Sequence, residues 1–216
     1  MKLLSVNVAE PKIVVAGGER IQTAIFKKPV AGPVRVSGLN LDGDRQADLT
    51  VHGGADKAVY AYSWQNTTYW RRELQRDDLG PGTFGENLTV DEMLDGEVSI
   101  GDELEIGTAR FLVTQPRLPC FKLGIALGLP GFPKVFHRSG RNGFYLRVLQ
   151  EGLLAAGDAI RVTLAENANR MTIADFVRIV TSRTPREEEL SRIMCLDALP
   201  RSWKDRLTVK FGAHHR

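Results

Sequence analysis

Cys120 is the residue of this chain whose neighbours most favour chemistry. It follows two prolines and lies between Arg117 and Lys122, shortly after the apolar run of residues 111–113. A cysteine acts as a nucleophile or a metal ligand only as the thiolate; nearby cations lower the thiol pKa, and burial among apolar groups raises it. The local sequence therefore leaves three roles open, namely nucleophile, metal ligand and inert buried thiol.

A second segment combines two glycines with three basic residues. Gly53 and Gly54 follow His52, and Arg45 and Lys57 lie on either side of them in the sequence. Glycines let a ligand approach backbone amides closely, and the basic side chains can receive an anion. The same composition is also typical of a polar hairpin loop, so anion binding and a plain turn both remain possible.

A third segment carries Glu86, Asn87 and Thr89 within a few residues. An asparagine amide offers both a donor and an acceptor, so together with a carboxylate it can fix a heterocycle by hydrogen bonds. Ordinary turn chemistry explains the same residues equally well. The segment predicts a polar ligand contact only if it lies near Cys120.

A fourth segment contains His137, Arg141 and Asn142, followed by Gly143. The histidine and arginine could take part in binding or proton transfer, since histidine titrates near neutral pH. Asn-Gly is a strong tight-turn signal, so a hairpin loop with solvated arginines is the alternative. The pair Lys27 and Lys28 is interpreted as a solvated loop.

Composition limits the class of protein. The chain has 216 residues, 43% of them hydrophobic, a formal net charge of +3 and only two cysteines. Two cysteines exclude an iron-sulfur cluster or zinc site held by cysteines of this chain alone, and they give no disulfide framework. No apolar run reaches the length of a membrane span or a signal peptide. We expect a soluble, reduced, cytoplasmic protein without membrane association.

Residues 1–165 are predicted to form a mainly β domain, a β-barrel of short strands separated by turn signals. Strands are expected at residues 3–8, 21–26, 34–39, 111–114 and 144–149, and a helix at residues 66–74 capped by Asn66 or Thr67. The two prolines within residues 28–33 are expected to end strand pairing there. Gly-Asp turns at residues 101 and 157 are each expected to launch a half-buried strand.

Residues 166–216 are predicted to form a small domain of three helices. Apolar residues recur at helical spacing after Thr172, and a capping box is expected at Thr184 before a second helix. Cys195 is expected on the buried side of that helix, together with Met194. Three short helices bury little core alone, so we expect them to dock on the barrel or on another copy in a homodimer.

Taken together, the four segments resemble the MOSC domain, the fold named for the C-terminal part of molybdenum-cofactor sulfurases, in its YiiM-like subgroup. The order and spacing of the motifs match as well as their residues. The resemblance spans residues 1–165, and the three-helix tail is similar to the C-terminal extension of that subgroup. The matching stretches are residues 42–48 (DGDRQAD), 52–54 (HGG), 84–89 (FGENLT), 115–117 (QPR), 119–123 (PCFKL) and 140–145 (GRNGFY).

The resemblance implies a bound molybdenum cofactor (Mo-molybdopterin) with Cys120 as the protein ligand to the metal. A soft thiolate suits a metal that already carries dithiolene sulfurs. His52 or His137 would supply a proton to the leaving hydroxyl. Residues expected to contact the cofactor are Arg45, Lys57, Arg117 and Arg141 at its phosphate, Glu86, Asn87 and Asn142 at the pterin, and His52, Gly53, Thr89 and Lys122 around them.

The resemblance also implies reduction of N-hydroxylated bases such as 6-hydroxylaminopurine. The chain lacks cysteines for a cluster and lacks a dinucleotide-binding fingerprint, so electrons are expected from a partner protein. The first alternative is a sulfur carrier with a persulfide on Cys120. The second is a non-catalytic module in which the basic C-terminal helices bind nucleic acid or a partner protein; acidic residues in the same segment keep its excess charge small, so nucleic acid is not the main expectation.

Overall fold

In the described residues the chain forms six α-helices and three sheets, the largest of which is mixed. The computed structural model describes residues 1–47, 53–165 and 170–212. The helices are α1 (Trp64–Glu73), α2 (Phe121–Leu127), α3 (Phe132–Arg138), α4 (Ile173–Thr181), α5 (Glu187–Met194) and α6 (Arg201–Phe211). The strands are β1 (Leu3–Val8), β2 (Lys12–Ala16), β3 (Glu19–Thr23), β4 (Lys28–Val30), β5 (Val34–Ser37), β6 (Asn40–Leu41), β7 (Val59–Ser63), β8 (Leu88–Val90), β9 (Glu103–Ile106), β10 (Ala109–Pro116), β11 (Phe144–Gln150), β12 (Gly152–Leu154) and β13 (Ile160–Thr163).

The main sheet has eight strands in the order β13-β9-β10-β11-β7-β8-β1-β4. Neighbouring strands in this sheet run antiparallel, except β7 and β8, which run parallel. A single bridge between Lys2 and Ala159 links β1 to the segment before β13. The predicted strand-rich fold with appended helices is confirmed, but the sheets are not closed, and the predicted barrel is not confirmed.

The longest strand pair of the sheet positions the cysteine segment. Phe111 and Val113 on β10 and Leu146 on β11 are buried because alternate residues of a strand face the core. Pro116 at the end of β10 lies opposite Phe144 at the start of β11. The segment between them, which includes α2 and α3, therefore leaves and re-enters the sheet at the same end of this strand pair. Cys120 lies in this excursion, at the residue directly before α2.

Gly143 closes the excursion and shows why glycine is needed there. Its φ of +66° lies in the left-handed region, and a Cβ on it would come within 2.6 Å of the Ala61 carbonyl oxygen on β7. Its N–H donates to Asp95 Oδ1 at 2.7 Å. The Asn-Gly turn signal was therefore right about the backbone, although the segment re-enters the sheet after α3 and does not form a simple hairpin.

Three local predictions in the N-terminal half are wrong in detail. The expected break at residues 28–33 contains β4, which pairs with β1 so that Pro29 lies opposite Asn7. Proline is tolerated because β4 is an edge strand with one side unpaired. The strand expected at residues 21–26 ends at Thr23. Helix α1 is capped by Ser63, whose hydroxyl accepts from the Gln65 N–H at 3.2 Å.

The three C-terminal helices are present, and they pack on the sheet. Phe176 and Trp203 meet edge to face at 5.0 Å within a core that also contains sheet residues. Trp203 Nε1 donates to Gln115 Oε1 on β10 at 2.7 Å. The division at residues 165 and 166 stays a prediction, since one hydrophobic cluster runs through both parts.

Helix caps in this region follow the sequence only in part. Thr172 caps α4 as expected, accepting from the Asp175 N–H at 3.0 Å. The box of α5 begins at Arg186 and not at Thr184. Cys195 is exposed and Met194 is 40% exposed, so their predicted burial is wrong. No helix of the described residues is both long and apolar enough to cross a membrane.

Candidate functional site

Two clefts meet at Cys120. The sheet cleft lies on the strand side and is lined by residues that include Lys27, Asp44, Arg45, Tyr60, Asn87, Arg117 and Lys122. The helix cleft lies between the cysteine segment and α6 and is lined by residues that include Lys57, Gln115, Pro119, Ser202, Trp203 and Arg206. Cys120, Leu118 and Tyr145 line both clefts. The half-buried thiol residue is therefore reachable from two sides.

Arg117 is the buried cation of the sheet cleft. Only 6% of its surface is exposed, and its guanidinium lies 4.9 Å from the centre of the Tyr60 ring and 5.7 Å from that of Phe136. Its backbone N–H donates to the Gly143 carbonyl at 3.1 Å, and its carbonyl accepts from Asn142 Nδ2 at 2.8 Å. Nη1, however, is buried without a hydrogen-bond partner among the described residues. A buried donor of this kind is costly unless a ligand accepts from it.

The electrostatics around Arg117 keep it charged. Burial opposes the charge, but the nearby Tyr60, Tyr145 and Cys120 side chains outweigh burial and raise the Arg117 pKa. Burial raises the pKa of both tyrosines, so their hydroxyls stay protonated. The site therefore presents a fixed positive charge and two neutral hydroxyl groups close to the thiol.

A buried ion pair forms another wall of the sheet cleft. Lys27 Nζ contacts Asp44 Oδ1, with both side chains almost fully buried. Asp44 also accepts from the Ala9 N–H at 2.8 Å and from Asn87 Nδ2 at 2.9 Å. Burial lowers the Lys27 pKa, while Asp44 acts against that change. The interpretation of Lys27 as part of a solvated loop is wrong, because this carboxylate from a remote segment holds it inside.

Glu86 and Thr89 lie beneath the cleft and are not among the residues that line it. The Glu86 carboxylate accepts from the N–H groups of Gly82 at 2.7 Å and Phe84 at 3.0 Å, and from the Thr89 hydroxyl at 2.9 Å. Burial raises its pKa to about 7, against these hydrogen bonds. Of this predicted trio only Asn87 reaches the cleft, and its amide already bonds Asp44 and the Tyr60 N–H.

The fourth predicted segment lies beside the clefts. Asn142 Nδ2 is 3.1 Å from His137 Nδ1, and the Asn142 Oδ1 is buried without a partner among the described residues. Burial lowers the pKa of His137. Arg141 donates to Asn66 Oδ1 at 2.8 Å and lies over the Tyr69 ring, so it is not solvated. None of the three predicted residues lines the sheet or helix cleft.

The glycine-rich segment is placed only in part. His52 lies outside the described residues, and Gly53 lines neither cleft. Arg45 lies at the rim of the sheet cleft, 3.6 Å from the Glu10 carboxylate, and is largely exposed. Lys57 lines the helix cleft, so Arg45 and Lys57, two of the four cations expected at the phosphate, lie in different clefts.

Sequence reasoning missed several residues of both clefts. No sequence motif assigned a role to Tyr60, and Asp44 and Tyr145 fell within the matching stretches 42–48 and 140–145 without being singled out. Ser202 and Arg206 belong to a helix that had no assigned position relative to Cys120. The basic residues of the C-terminal segment were the only available signal, and they did not indicate which one would reach the site.

The chain belongs to the MOSC domain family, whose model matches residues 48–161. YiiM from Escherichia coli (strain K12) is 30% identical over 183 residues, covering 84% of this chain and 81% of that protein. A protein named "Reductase" from Gibberella moniliformis is 35% identical over 184 residues, which are 84% of this chain but 32% of that protein. The crystal structure of YiiM from Geobacillus stearothermophilus superposes with a TM-score of 0.81 at 32% identity, covering 97% of this chain and 98% of that one. The predicted resemblance to YiiM-like MOSC proteins is confirmed.

Proposed function

We propose that this protein is a molybdenum-cofactor-dependent reductase of N-hydroxylated compounds, such as 6-hydroxylaminopurine, that receives electrons from another protein. The observation that carries the proposal is the position of Cys120. Its thiol lies between two clefts and beside a buried arginine whose Nη1 lacks a partner among the described residues. The relative named "Reductase" supports reduction as the reaction class.

The residues of the sheet cleft fit an anionic cofactor that carries its own metal ligands. The described residues contain no group of three or more His, Cys, Asp or Glu side chains that could hold a metal ion. A metal bound through Cys120 would thus take its other ligands from the pterin dithiolene, to which a soft thiolate is well matched. Arg117 Nη1, Lys122 and Arg45 line the same cleft and would hold the phosphate.

The chemistry that the cofactor supplies when bound is two-electron transfer to the substrate. The overall reaction consumes two electrons and two protons, breaks the N–O bond and releases the amine and water. Tyr145 lines both clefts, and its raised pKa keeps a proton on Oη, where it can donate a hydrogen bond to the hydroxyl oxygen. The Arg117 charge interacts with Cys120 and favours its thiolate form over the neutral thiol. Proton delivery by His52 or His137 stays a prediction.

The electron donor is proposed to be a separate protein. Two cysteines cannot supply the four thiolates of a usual iron-sulfur cluster, and the glycine-rich segments do not follow the strand-to-helix pattern of a dinucleotide site. Purified protein should therefore reduce 6-hydroxylaminopurine with a reduced viologen dye and fail to do so with NADH alone. Turnover with NADH alone would contradict this part of the proposal.

Metal and pterin analysis of cysteine variants tests the proposal most directly. Wild type, Cys120→Ala and Cys195→Ala are purified from a host that makes the cofactor, and molybdenum and molybdopterin are measured. Cys195 is the matched control because it is exposed at the end of α5. We expect Cys120→Ala to lose molybdenum and activity and Cys195→Ala to keep both. Equal molybdenum in all three would refute the ligand role, and cyanide-releasable sulfur on metal-free wild type would favour the sulfur carrier.

A further inference from the structure

The helix cleft carries two cations and no acidic side chain among its described lining residues. Lys57 comes from the 3-10 turn Ala55–Lys57, and Arg206 and Ser202 come from α6. Arg117 lines the sheet cleft and not the helix cleft, whereas Cys120 lines both. The cleft is thus a second positively charged wall next to the thiol, separate from the cations of the sheet cleft.

Two acidic side chains lie close to these cations in the sequence, and each also contacts an arginine outside the cleft lining. Asp56, next to Lys57, accepts from Arg147 Nε at 2.7 Å. Asp205, on the same helix as Arg206, lies 3.9 Å from Arg201. No carboxylate of the described residues forms an ion pair with Arg206, whose guanidinium lies 5.5 Å from the Trp203 ring centre. The cleft therefore offers an anion the Arg206 guanidinium, which forms no ion pair with an acid in the described part of the chain.

The two cations also act on each other. Burial is the largest cause that lowers the Lys57 pKa, and the positive charge of Arg206 lowers it further, while the Asp56 carboxylate acts in the opposite direction. Like charges held close together destabilise each other until an anion lies between them. An anion shared by both side chains would relieve this repulsion, which favours a doubly charged group over a neutral one.

The start of α6 adds weaker support. Ser202 lies in the first turn, where the helix has no acidic residue and no side-chain cap. The first N–H groups of a helix and its dipole favour an anion nearby. Ser202 also brings a hydroxyl that can donate to an oxygen. The cleft thus offers an ammonium group, a guanidinium group and a hydroxyl group. These are the groups that recognise a phosphate.

We infer that the helix cleft binds the phosphate of a nucleotide substrate, so that the N-hydroxylated base of a nucleoside monophosphate lies against Cys120. This inference rests on the proposed reductase function and specifies its substrate class. Tyr145 and Trp203 add aromatic surface to the lining of the same cleft, against which a base can pack. The appended helices then select the substrate, while the sheet cleft holds the cofactor.

The test compares 6-hydroxylaminopurine with its riboside 5′-monophosphate as ligands of cofactor-loaded protein. Calorimetry measures their Kd without turnover, and dye-linked assays measure KM. The variants are Arg206→Gln and Lys57→Gln, and the control is Arg201→Gln, an exposed residue of the same helix that is absent from the cleft lining. We expect each cleft variant to weaken nucleotide binding about tenfold or more, because a charge-assisted hydrogen bond is lost. Binding of the free base and the Arg201→Gln variant should change little.

Each other outcome overturns a specific part of the inference. Equal Kd values for base and nucleotide in wild type would show that the phosphate is not recognised. Loss of molybdopterin from Arg206→Gln would assign the cations to the cofactor. A defect seen only with a protein donor, and not with the dye, would assign them to an acidic partner surface. Arg206-dependent nucleotide binding without any reduction would refute the reductase proposal and leave the binding site standing.

Discussion

The sheet cleft and the helix cleft both place positive charge beside Cys120, but they hold it in different ways. In the sheet cleft, Lys27 is buried against Asp44 and Arg117 is packed between aromatic rings. In the helix cleft, Lys57 is half-buried and Arg206 has no ion pair among the described residues. The first wall is part of the core of the fold, and the second depends on how α6 docks. Stability should therefore respond to the first and ligand binding to the second.

The largest effect should come from removing the lysine of the buried ion pair in the sheet cleft. Lys27→Met leaves Asp44 buried without its cation, and loss of one partner of a buried pair costs about 3–5 kcal/mol. Urea unfolding of Lys27→Met and of Lys57→Met measures the contrast, and we expect less than about 1 kcal/mol for the half-buried Lys57. Similar losses for the two variants would remove the distinction between the clefts.

The docking of α6 should be the next largest contribution. Trp203 is 7% exposed, packs edge to face on Phe176 and donates to Gln115 at 2.7 Å. Trp203→Ala should cost about 3 kcal/mol in urea unfolding and speed alkylation of Cys120, because one wall of the helix cleft is lost. Val209→Ala is the control, since Val209 is exposed on the same helix and should change stability by less than about 0.5 kcal/mol. Unchanged alkylation in Trp203→Ala would show that α6 does not shield the thiol.

The buried carboxyl beneath the sheet cleft should make stability depend on pH. Burial raises the Glu86 pKa from an ordinary 4.5 to about 7, so between these values the native protein holds a proton that the unfolded chain releases. Stability should therefore fall as pH rises from about 5 to about 7.5, by up to about 3 kcal/mol relative to Glu86→Gln. Urea unfolding of both proteins across this range measures the difference. Parallel stability curves would show that Glu86 is ionised throughout.

The smallest effect is expected at the rim of the sheet cleft. Arg45 and Glu10 are 3.6 Å apart and both are largely exposed, so solvent screens their attraction. Glu10→Gln should change the free energy of unfolding by less than about 0.5 kcal/mol, measured by urea unfolding. A larger loss of stability would mean that the Arg45–Glu10 pair is held as firmly as the buried wall. It would then argue against Arg45 as a side chain that can turn to contact a phosphate.

Local sequence predicted the parts of the site that lie within one segment. Arg117, Cys120 and Lys122 are close in the chain, and the structure places all three on the sheet cleft. The Asn-Gly signal likewise predicted the backbone at Gly143. Such features follow from short-range sterics and hydrogen bonding, which a few neighbouring residues determine.

Contacts between segments that are far apart in the sequence could not be predicted from such local features. Nothing near Lys27 in the sequence indicates that Asp44 and Asn87 enclose it, and nothing near Arg206 indicates that it lies opposite Lys57. The exposure of Cys195 was also missed, because the side of a helix that faces the core depends on how the helix docks. Strand ends also differ from the predicted ends by a few residues, because pairing with neighbouring strands decides where a strand stops.

The amino-acid sequence by itself determined that the fold is rich in strands with appended helices, which family it belongs to, and that Cys120 lies between Arg117 and Lys122. Each of these depends on residue types, spacing and near neighbours. Only the tertiary structure decided which charges are neutralised inside the protein and which remain for a ligand. Electrostatic energy depends on distance through space and on burial, and the chain brings together at Cys120 side chains that the sequence keeps far apart.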